Sequence, residues 1–204
     1  MALLFNEEQQ YLKDTAKDFV QKNAPINHFR ELRDYKDETG YSKELWKQMA
    51  ELGWAGILIS EEYGGSDFGM MGMGGILEET GRCLVPSPLF STALLGASLI
   101  ELGGKADQKK DLLTKIAKGE LTTAFALEEG SRHTPYRIST TAEKKGKNFV
   151  LNGKKTFVLD GHSADLIVLA VRTSGRIEDQ SGISLFLIDP NSTGLQRKRT
   201  HMVD

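Results

Sequence analysis

The 204-residue chain has a single cysteine, Cys83, and almost no net charge, and these absences disfavour several classes of protein. One cysteine excludes an internal disulfide and is consistent with a reducing compartment. A net charge of −2, from 26 basic and 28 acidic residues, offers no electrostatic case for a nucleic-acid surface. No apolar run approaches the roughly 20 residues of a membrane helix, and the N-terminus turns polar at Asn6, too early for a signal peptide. The absences predict a cytoplasmic protein that neither crosses a membrane nor binds nucleic acid.

Side chains for two common kinds of ligand site are also missing. His28, His162 and His201 are scattered, and their spacing matches no metal-ligand pattern. The glycine-rich stretch 64–75 lacks both the preceding strand and the Gly-Lys-Ser/Thr ending of a phosphate-binding loop. We therefore predict no metal site, and we interpret these glycines as a source of loop flexibility.

What the first half of the chain does contain is helical periodicity. Apolar residues recur at helical spacing in five segments, and the first two begin after the capping residues Asn6 and Ser42. The predicted helices are 6–23, 42–52, 73–82, 88–102 and 107–117. The leucine stripe on the fourth helix, between Leu89 and Leu99, is interpreted first as core packing.

After Gly119 the helical period ends, and short apolar runs alternate with turns. We predict strands at 121–127, 138–143, 148–151, 156–159, 166–171, 183–188 and 194–203. Helices followed by strands predict an α+β protein, with an all-α helical bundle domain at 1–120 and an antiparallel β-barrel or sandwich domain at 121–204. Because an unpaired terminal strand would leave an exposed edge, we expect the β domain to be incomplete and the natural chain to be longer.

An ordered set of motifs across both halves resembles the acyl-CoA dehydrogenase family. The matching segments include the Glu-Glu-Tyr-Gly-Gly run of 61–65 and the Leu-Asn-Gly-Lys-Lys run of 151–155. Others are 52–60, 77–82, 107–120 and 122–133. The resemblance covers essentially the whole chain. It implies the family's N-terminal helical domain and part of its middle β domain, without its C-terminal helical domain.

This resemblance also implies a reaction, which is the FAD-dependent α,β-dehydrogenation of an acyl-CoA thioester to the trans-2-enoyl-CoA. In the family a glutamate of the C-terminal domain removes the α proton while a hydride passes from the β carbon to the flavin. Since no glutamate here lies in that segment, no catalytic residue is assigned. The resemblance further implies electron-transferring flavoprotein as electron acceptor, and a homo- or hetero-oligomer of acyl-CoA dehydrogenase-like subunits.

The family's flavin contacts correspond to positions whose chemistry is partly changed. Family members carry Val-Thr-Glu-Pro at the end of the first middle-domain strand, where this chain has 126–129, Ala-Leu-Glu-Glu. Members carry Trp-Ile-Thr against the flavin ring, where this chain has 157–159, Phe-Val-Leu, so two hydroxyl donors are lost. The resemblance implies these cofactor-binding positions: Phe125, Leu127, Phe157, Val158 and Leu159.

The substrate side of the site rests on weaker correspondences. The family's serine-bearing motif near CoA aligns with 132–134, so Arg132 and His133 are candidate contacts for a polar or anionic acyl-CoA group. They are alternatively part of a solvated turn. In the family the helix that carries Leu89 also borders the acyl tail.

The substitutions that remove these hydroxyls resemble a subgroup of the family. Its members are the smaller of two unlike subunits in enzymes that degrade dicarboxylyl or steroid-side-chain CoA esters. Two alternatives to a dehydrogenase therefore stay open. The first is a non-catalytic partner subunit that completes a heteromer, and the second is an acyl-CoA oxidase on the same fold.

Overall fold

The computed structural model describes residues 4–200, and these residues form two compact units. The second unit is Thr123–Arg199, and the described residues before Thr123 form the first. No helix in the described part of the chain is long and apolar enough to cross a membrane.

The first unit is helical. Its α-helices are α1 (Glu7–Asn23), α2 (Ile26–Asp34), α3 (Lys43–Glu51), α4 (Gly69–Arg82), α5 (Ala97–Gly103) and α6 (Ala106–Ala117). Single 3-10 turns lie at Trp54–Gly56 and Glu61–Tyr63, and a π-helical stretch at Leu89–Gly96 leads into α5. Asn6 forms a reciprocal capping box with Gln9, and the Ser42 hydroxyl caps α3, so both predicted caps are confirmed.

Two helical details differ from the sequence-based expectation. Helix α2 was not predicted: it has only nine residues, it buries none of them, and its apolar residues are limited to Ile26, Phe29 and Leu32. The predicted helix 88–102 is one continuous helical segment, but its first eight residues have π-helical hydrogen bonding. A π stretch is widened by one residue per turn, which apolar spacing does not reveal.

The core of the first unit is centred on Trp54, which is 1% exposed and packs edge-on against Phe19 at 5.1 Å between ring centroids. Met49 and Ile76 are fully buried in the same cluster. The Trp46 indole N–H donates to the Gly119 carbonyl oxygen at 3.0 Å, which ties α3 to the turn after α6.

The interpretation of the glycine-rich stretch as flexible loop is wrong for its second half. Gly72 and Gly75 are buried within α4, which packs against α1. A Cβ at Gly72 would overlap the Phe68 ring and lie 3.2 Å from Leu12 Cδ2. Glycine at this position therefore permits close packing.

The second unit is built on a five-stranded sheet. Its strands are β1 (Thr123–Ala126), β2 (Thr141–Lys145), β3 (Asn148–Asn152), β4 (Leu166–Arg172) and β5 (Ile183–Ile188). The order is β1-β4-β2-β3, and β5 also pairs with β4. The predicted α+β class, helices first and sheet afterwards, is confirmed.

The prediction of purely antiparallel pairing needs correction, because the sheet is mixed. Strands β2–β3 and β4–β5 are antiparallel, but β1 and β2 both run parallel to β4. The β4 residues are mostly buried, consistent with a strand that has neighbours on both edges. The apolar pattern of a strand does not encode the direction in which it pairs, so the sequence did not distinguish a mixed sheet from an antiparallel one.

Two of the predicted strands are not formed in the described residues. In 156–159 the backbone turns instead, since Phe157 has φ +50° and Asp160 φ +56°, both outside the extended region. The described part of the predicted strand 194–203, up to residue 200, has no strand conformation, and residues 201–203 lie outside the described residues.

Candidate functional site

The predicted cofactor residues lie in two segments of the second unit. Phe125 lies within β1 and is half-buried, and Leu127 directly follows that strand. The other three form the exposed loop 157–159, where Phe157 is 70% exposed and Leu159 54% exposed. Two large apolar side chains lie exposed within three residues of this loop, so the loop is a candidate binding surface.

Hydrogen bonds fasten the second segment against the first. The Thr156 N–H donates to the Glu128 carbonyl oxygen at 2.8 Å, and the Thr156 hydroxyl to the Gly130 carbonyl at 3.3 Å. The Lys155 ammonium donates to the Leu127 carbonyl at 3.0 Å. The structure therefore brings together the two segments that sequence reasoning selected, although they are about thirty positions apart in the chain.

A buried ion pair, which sequence reasoning missed, lies under this junction. Lys155 Nζ is 2.8 Å from Glu129 Oε1, and the two side chains are only 7% and 12% exposed. Glu129 also accepts from the N–H groups of Ser139 at 2.7 Å and Thr140 at 2.9 Å, and from the Ser139 hydroxyl. The only sequence signal was a lysine between an Asn-Gly turn and an apolar run, which is common in surface loops.

These contacts control the ionisation of Glu129. Burial by itself raises the pKa of the Glu129 carboxyl, but the hydrogen bonds from Lys155, Ser139 and Thr140 together outweigh burial and hold that pKa at about 2. Burial lowers the pKa of the Lys155 ammonium, an effect that Glu129 opposes. The carboxylate is therefore charged throughout the physiological range and accepts hydrogen bonds from two other chain segments, 139–140 and Lys155.

The loop 157–159 offers backbone donors as well as apolar side chains. Within the described residues, the N–H groups of Phe157, Val158 and Leu159 have no backbone acceptor. Phe157 holds a left-handed conformation that costs a bulky L-residue energy, and such outliers cluster at ligand sites. The loop therefore combines an exposed aromatic ring with three main-chain N–H groups that have no backbone acceptor in the described part of the chain.

The two predicted substrate residues have different environments. Arg132 and His133 are both exposed in the loop after β1. His133 Nδ1 lies 2.5 Å from Glu128 Oε1, a pairing that the sequence reading did not anticipate. Because this carboxylate would repel an anionic ligand at His133, Arg132 is the better placed of the two for such a contact.

Arg172 is a second buried cation that sequence reasoning missed. It is 7% exposed, and its guanidinium donates to the carbonyl oxygens of Tyr136 at 2.7 Å, Ile177 at 3.0 Å and Ser181 at 2.6 Å. It thereby anchors two loops to the end of β4. This contact organises the loop that leads to Ser139.

The first unit contains a separate cavity of about 410 Å³. It is lined by the end of α4, the turn after it and the start of the π-helical stretch, with Leu77, Thr80, Val85, Leu89 and Phe90 among its residues. Leu89 is 1% exposed and packs in the core, as expected for the leucine stripe, whereas Phe90 is 44% exposed. Among the described residues, no group of three or more His, Cys, Asp or Glu side chains could hold a metal ion.

Together, a helical unit followed by a mixed-sheet unit defines an α+β protein. Comparison with known families is more specific. Residues 6–120 match the N-terminal domain of acyl-CoA dehydrogenase, and residues 124–203 match its middle domain. The chain belongs to the acyl-CoA dehydrogenase family, a family of flavoprotein oxidoreductases.

Individual proteins resemble the chain along nearly its whole length. A 3-(aryl)acrylate reductase of Clostridium sporogenes is 30% identical over 198 residues, covering 95% of this chain and 51% of the relative. The solved acyl-CoA dehydrogenase of Geobacillus kaustophilus has a TM-score of 0.83 at 30% identity, covering 98% of this chain and 52% of that one. A variant of the Tcur3481–Tcur3483 steroid ACAD has a TM-score of 0.83 at 29% identity, covering 95% and 51%. The chain thus spans about half the length of the relatives it matches.

Proposed function

We propose that this chain is the N-terminal and middle-domain part of an FAD-dependent acyl-CoA dehydrogenase that converts an acyl-CoA thioester to the trans-2-enoyl-CoA. In this proposal 1–120 is the helical domain and 121–204 part of the flavin- and CoA-contacting β domain. The observation that carries it is the exposed loop 157–159, fastened beside the end of β1 in a chain of this family.

The chain's own residues would bind and orient the cofactor. Bound FAD supplies the hydride acceptor. The Phe157 ring offers an aromatic face, and the N–H groups of 157–159 offer donors for the polar edge of the flavin. Phe125 and Leu127 complete the surface from the β1 side. The base that takes the α proton would be a carboxylate outside these 204 residues.

Substrate contacts and electron transfer belong to the same proposal. Arg132, on the exposed loop after β1, would meet a phosphate or carboxylate of the acyl-CoA, with His133 beside it. Electron-transferring flavoprotein would reoxidise the reduced enzyme, and the assembly would be a homo- or hetero-oligomer of acyl-CoA dehydrogenase-like subunits.

One observation favours a second function, that of a non-catalytic partner subunit. Leu127 and Leu159 stand where a hydroxyl donor would strengthen flavin binding. A subunit with a weakened flavin surface suits an assembly in which an unlike partner contributes most of the cofactor site. The similarity to the Tcur3481–Tcur3483 steroid ACAD, whose name joins two proteins, is consistent with this alternative.

Titration of the purified full-length protein with FAD, followed by anaerobic addition of acyl-CoA esters, tests these functions. We expect bound FAD that is bleached by at least one of butyryl-CoA, octanoyl-CoA, isovaleryl-CoA or a steroid-side-chain CoA ester. Flavin binding only after addition of a second acyl-CoA dehydrogenase-like subunit would establish the partner role. Hydrogen peroxide formed under air without another acceptor would establish an oxidase. No flavin binding under any of these conditions would contradict the dehydrogenase proposal.

A further inference from the structure

We propose that the buried Lys155–Glu129 pair is a positioning device that holds the flavin-contact loop 157–159 in register with the end of β1. This inference deepens the proposed function and rests on it for the identity of the ligand. Lys155 and Glu129 do not touch the cofactor in this proposal. They act through the backbone that carries the contact residues.

The pair stands where three chain segments converge. Glu129 continues the chain from β1 and accepts from the Ser139 and Thr140 N–H groups, so it joins the segment after β1 to the segment before β2. The third segment follows β3, and its Lys155 ammonium donates to the Glu129 carboxylate and to the Leu127 carbonyl oxygen. The Lys155 ammonium therefore links the two predicted flavin-contact segments. It donates to the Leu127 carbonyl oxygen, and Lys155 itself lies two residues before Phe157.

This arrangement is better explained by positioning than by stability alone. Buried ion pairs contribute little net stability, because the loss of hydration offsets their attraction. A pair that is nine-tenths buried and bonded to a main-chain carbonyl instead restricts geometry. The restriction is needed here because Phe157 has a left-handed backbone, which persists only when surrounding contacts over-determine it.

The test replaces Lys155 with methionine, which keeps the stem of the side chain and removes the ammonium. Lys154→Met, at the exposed neighbouring position, controls for loss of one positive charge. The double variant Glu129→Gln with Lys155→Met removes both charges, which should recover much of the stability lost in Lys155→Met.

For Lys155→Met we expect amide hydrogen exchange at 156–161 to rise by about tenfold or more without FAD, since the Thr156 N–H loses its anchored neighbour. We also expect its FAD dissociation constant to rise by about tenfold or more, with a shifted absorption maximum of the remaining bound flavin. Lys154→Met should leave all three readouts unchanged. The double variant should regain thermal stability but not flavin affinity.

Two results would overturn the positioning role. One is unchanged exchange and flavin affinity in a folded Lys155→Met protein. The other is recovery of flavin affinity together with stability in the double variant. Absence of FAD binding to the unmodified protein would instead contradict the proposed function, and the exchange measurement would still decide whether Lys155 orders the loop.

Discussion

Glu129 shows how a single residue can acquire a role that its type does not suggest. An acidic residue after a strand is usually a solvated turn residue, but here the carboxylate is 12% exposed and surrounded by donors from Lys155, Ser139 and Thr140. The contacts belong to residues ten, eleven and twenty-six positions away. The ionisation of this group is therefore a property of the folded chain.

The depressed pKa of Glu129 predicts a specific acid dependence of stability. The folded pKa of about 2 lies below the ordinary 4.5, so the carboxylate stabilises the fold above pH 4.5, and this contribution is lost as the pH falls towards 2. The full contribution is at most about 3 kcal/mol, from 1.36 kcal/mol per pKa unit. In Glu129→Gln we expect a lower free energy of unfolding at pH 7 and a flatter decline between pH 4.5 and 2, measured by urea unfolding.

Glu143→Gln is the matched control, because the Glu143 side chain in β2 is 73% exposed. It should leave both the stability at pH 7 and its acid dependence close to those of the unmodified protein. If the free energy of unfolding of Glu129→Gln fell as steeply with acid as that of the unmodified protein, other carboxylates would account for the acid dependence.

Leu127 and Leu159 offer a gain-of-function prediction at the residue scale. Leu127→Thr or Leu159→Thr should tighten FAD binding by about two- to tenfold, the effect of one added hydrogen bond of 0.5–1.5 kcal/mol. Leu185→Thr, at a position that is 45% exposed on β5, controls for the change of side-chain type. FAD titration of the three variants is the measurement, and weaker binding in both Thr variants would show that the leucines contribute apolar contact instead.

At the scale of elements, helix α4 owes its position to small residues on the face that meets α1. Gly72 and Gly75 are buried on this face, whereas Gly74 is exposed. Lys13 of α1 also pairs with Glu78, at 2.5 Å, and lies 3.8 Å from Glu79. Close approach of the two helices and charge pairing between them act together.

Gly72→Ala should destabilise the first unit, although alanine favours helices more than glycine does. The added Cβ would overlap the Phe68 ring, and overpacking of this kind costs about 1–3 kcal/mol. Gly74→Ala is the matched control, because a Cβ there has no neighbour within 4 Å, and it should be neutral or stabilising by up to about 1 kcal/mol. Thermal unfolding followed by tryptophan fluorescence compares the two, and equal midpoints would contradict the packing argument.

At the scale of the whole molecule, the chain consists of two compact units, and each has its own buried apolar residues, such as Met49 in the first and Val168 in the second. Both tryptophans, Trp46 and Trp54, lie in the first unit, and the Lys155–Glu129 pair lies in the second. Indole fluorescence therefore reports on the first unit, whereas circular dichroism reports on both.

We expect Lys155→Met to lower the urea midpoint of sheet unfolding, followed by circular dichroism. The urea midpoint followed by tryptophan fluorescence should be nearly unchanged. The physical reason is that units with their own cores are able to unfold separately. The measurement is parallel urea unfolding with both probes, using Gly72→Ala as the reciprocal control. An equal shift of both midpoints in Lys155→Met would show that the two units unfold as one.

The family, the α+β order and most helices could be predicted from the sequence, because these features depend on local signals. Apolar spacing, the caps at Asn6 and Ser42, and ordered motifs are all readable within short windows of the chain. The positions proposed for flavin contact were also chosen from such motifs, and their role stays a prediction.

Only the tertiary structure decided the features that depend on contacts between distant residues. These are the parallel pairing of β1 and β2 with β4, the left-handed turn at Phe157 in place of a strand, and the buried cations Lys155 and Arg172. Burial is set by what packs around a side chain, and pairing direction by where distant strands meet. Neither burial nor pairing direction is encoded in the residues nearby. For this reason Lys155, which the local sequence predicts to be a surface charge, is found buried between two proposed flavin-contact segments.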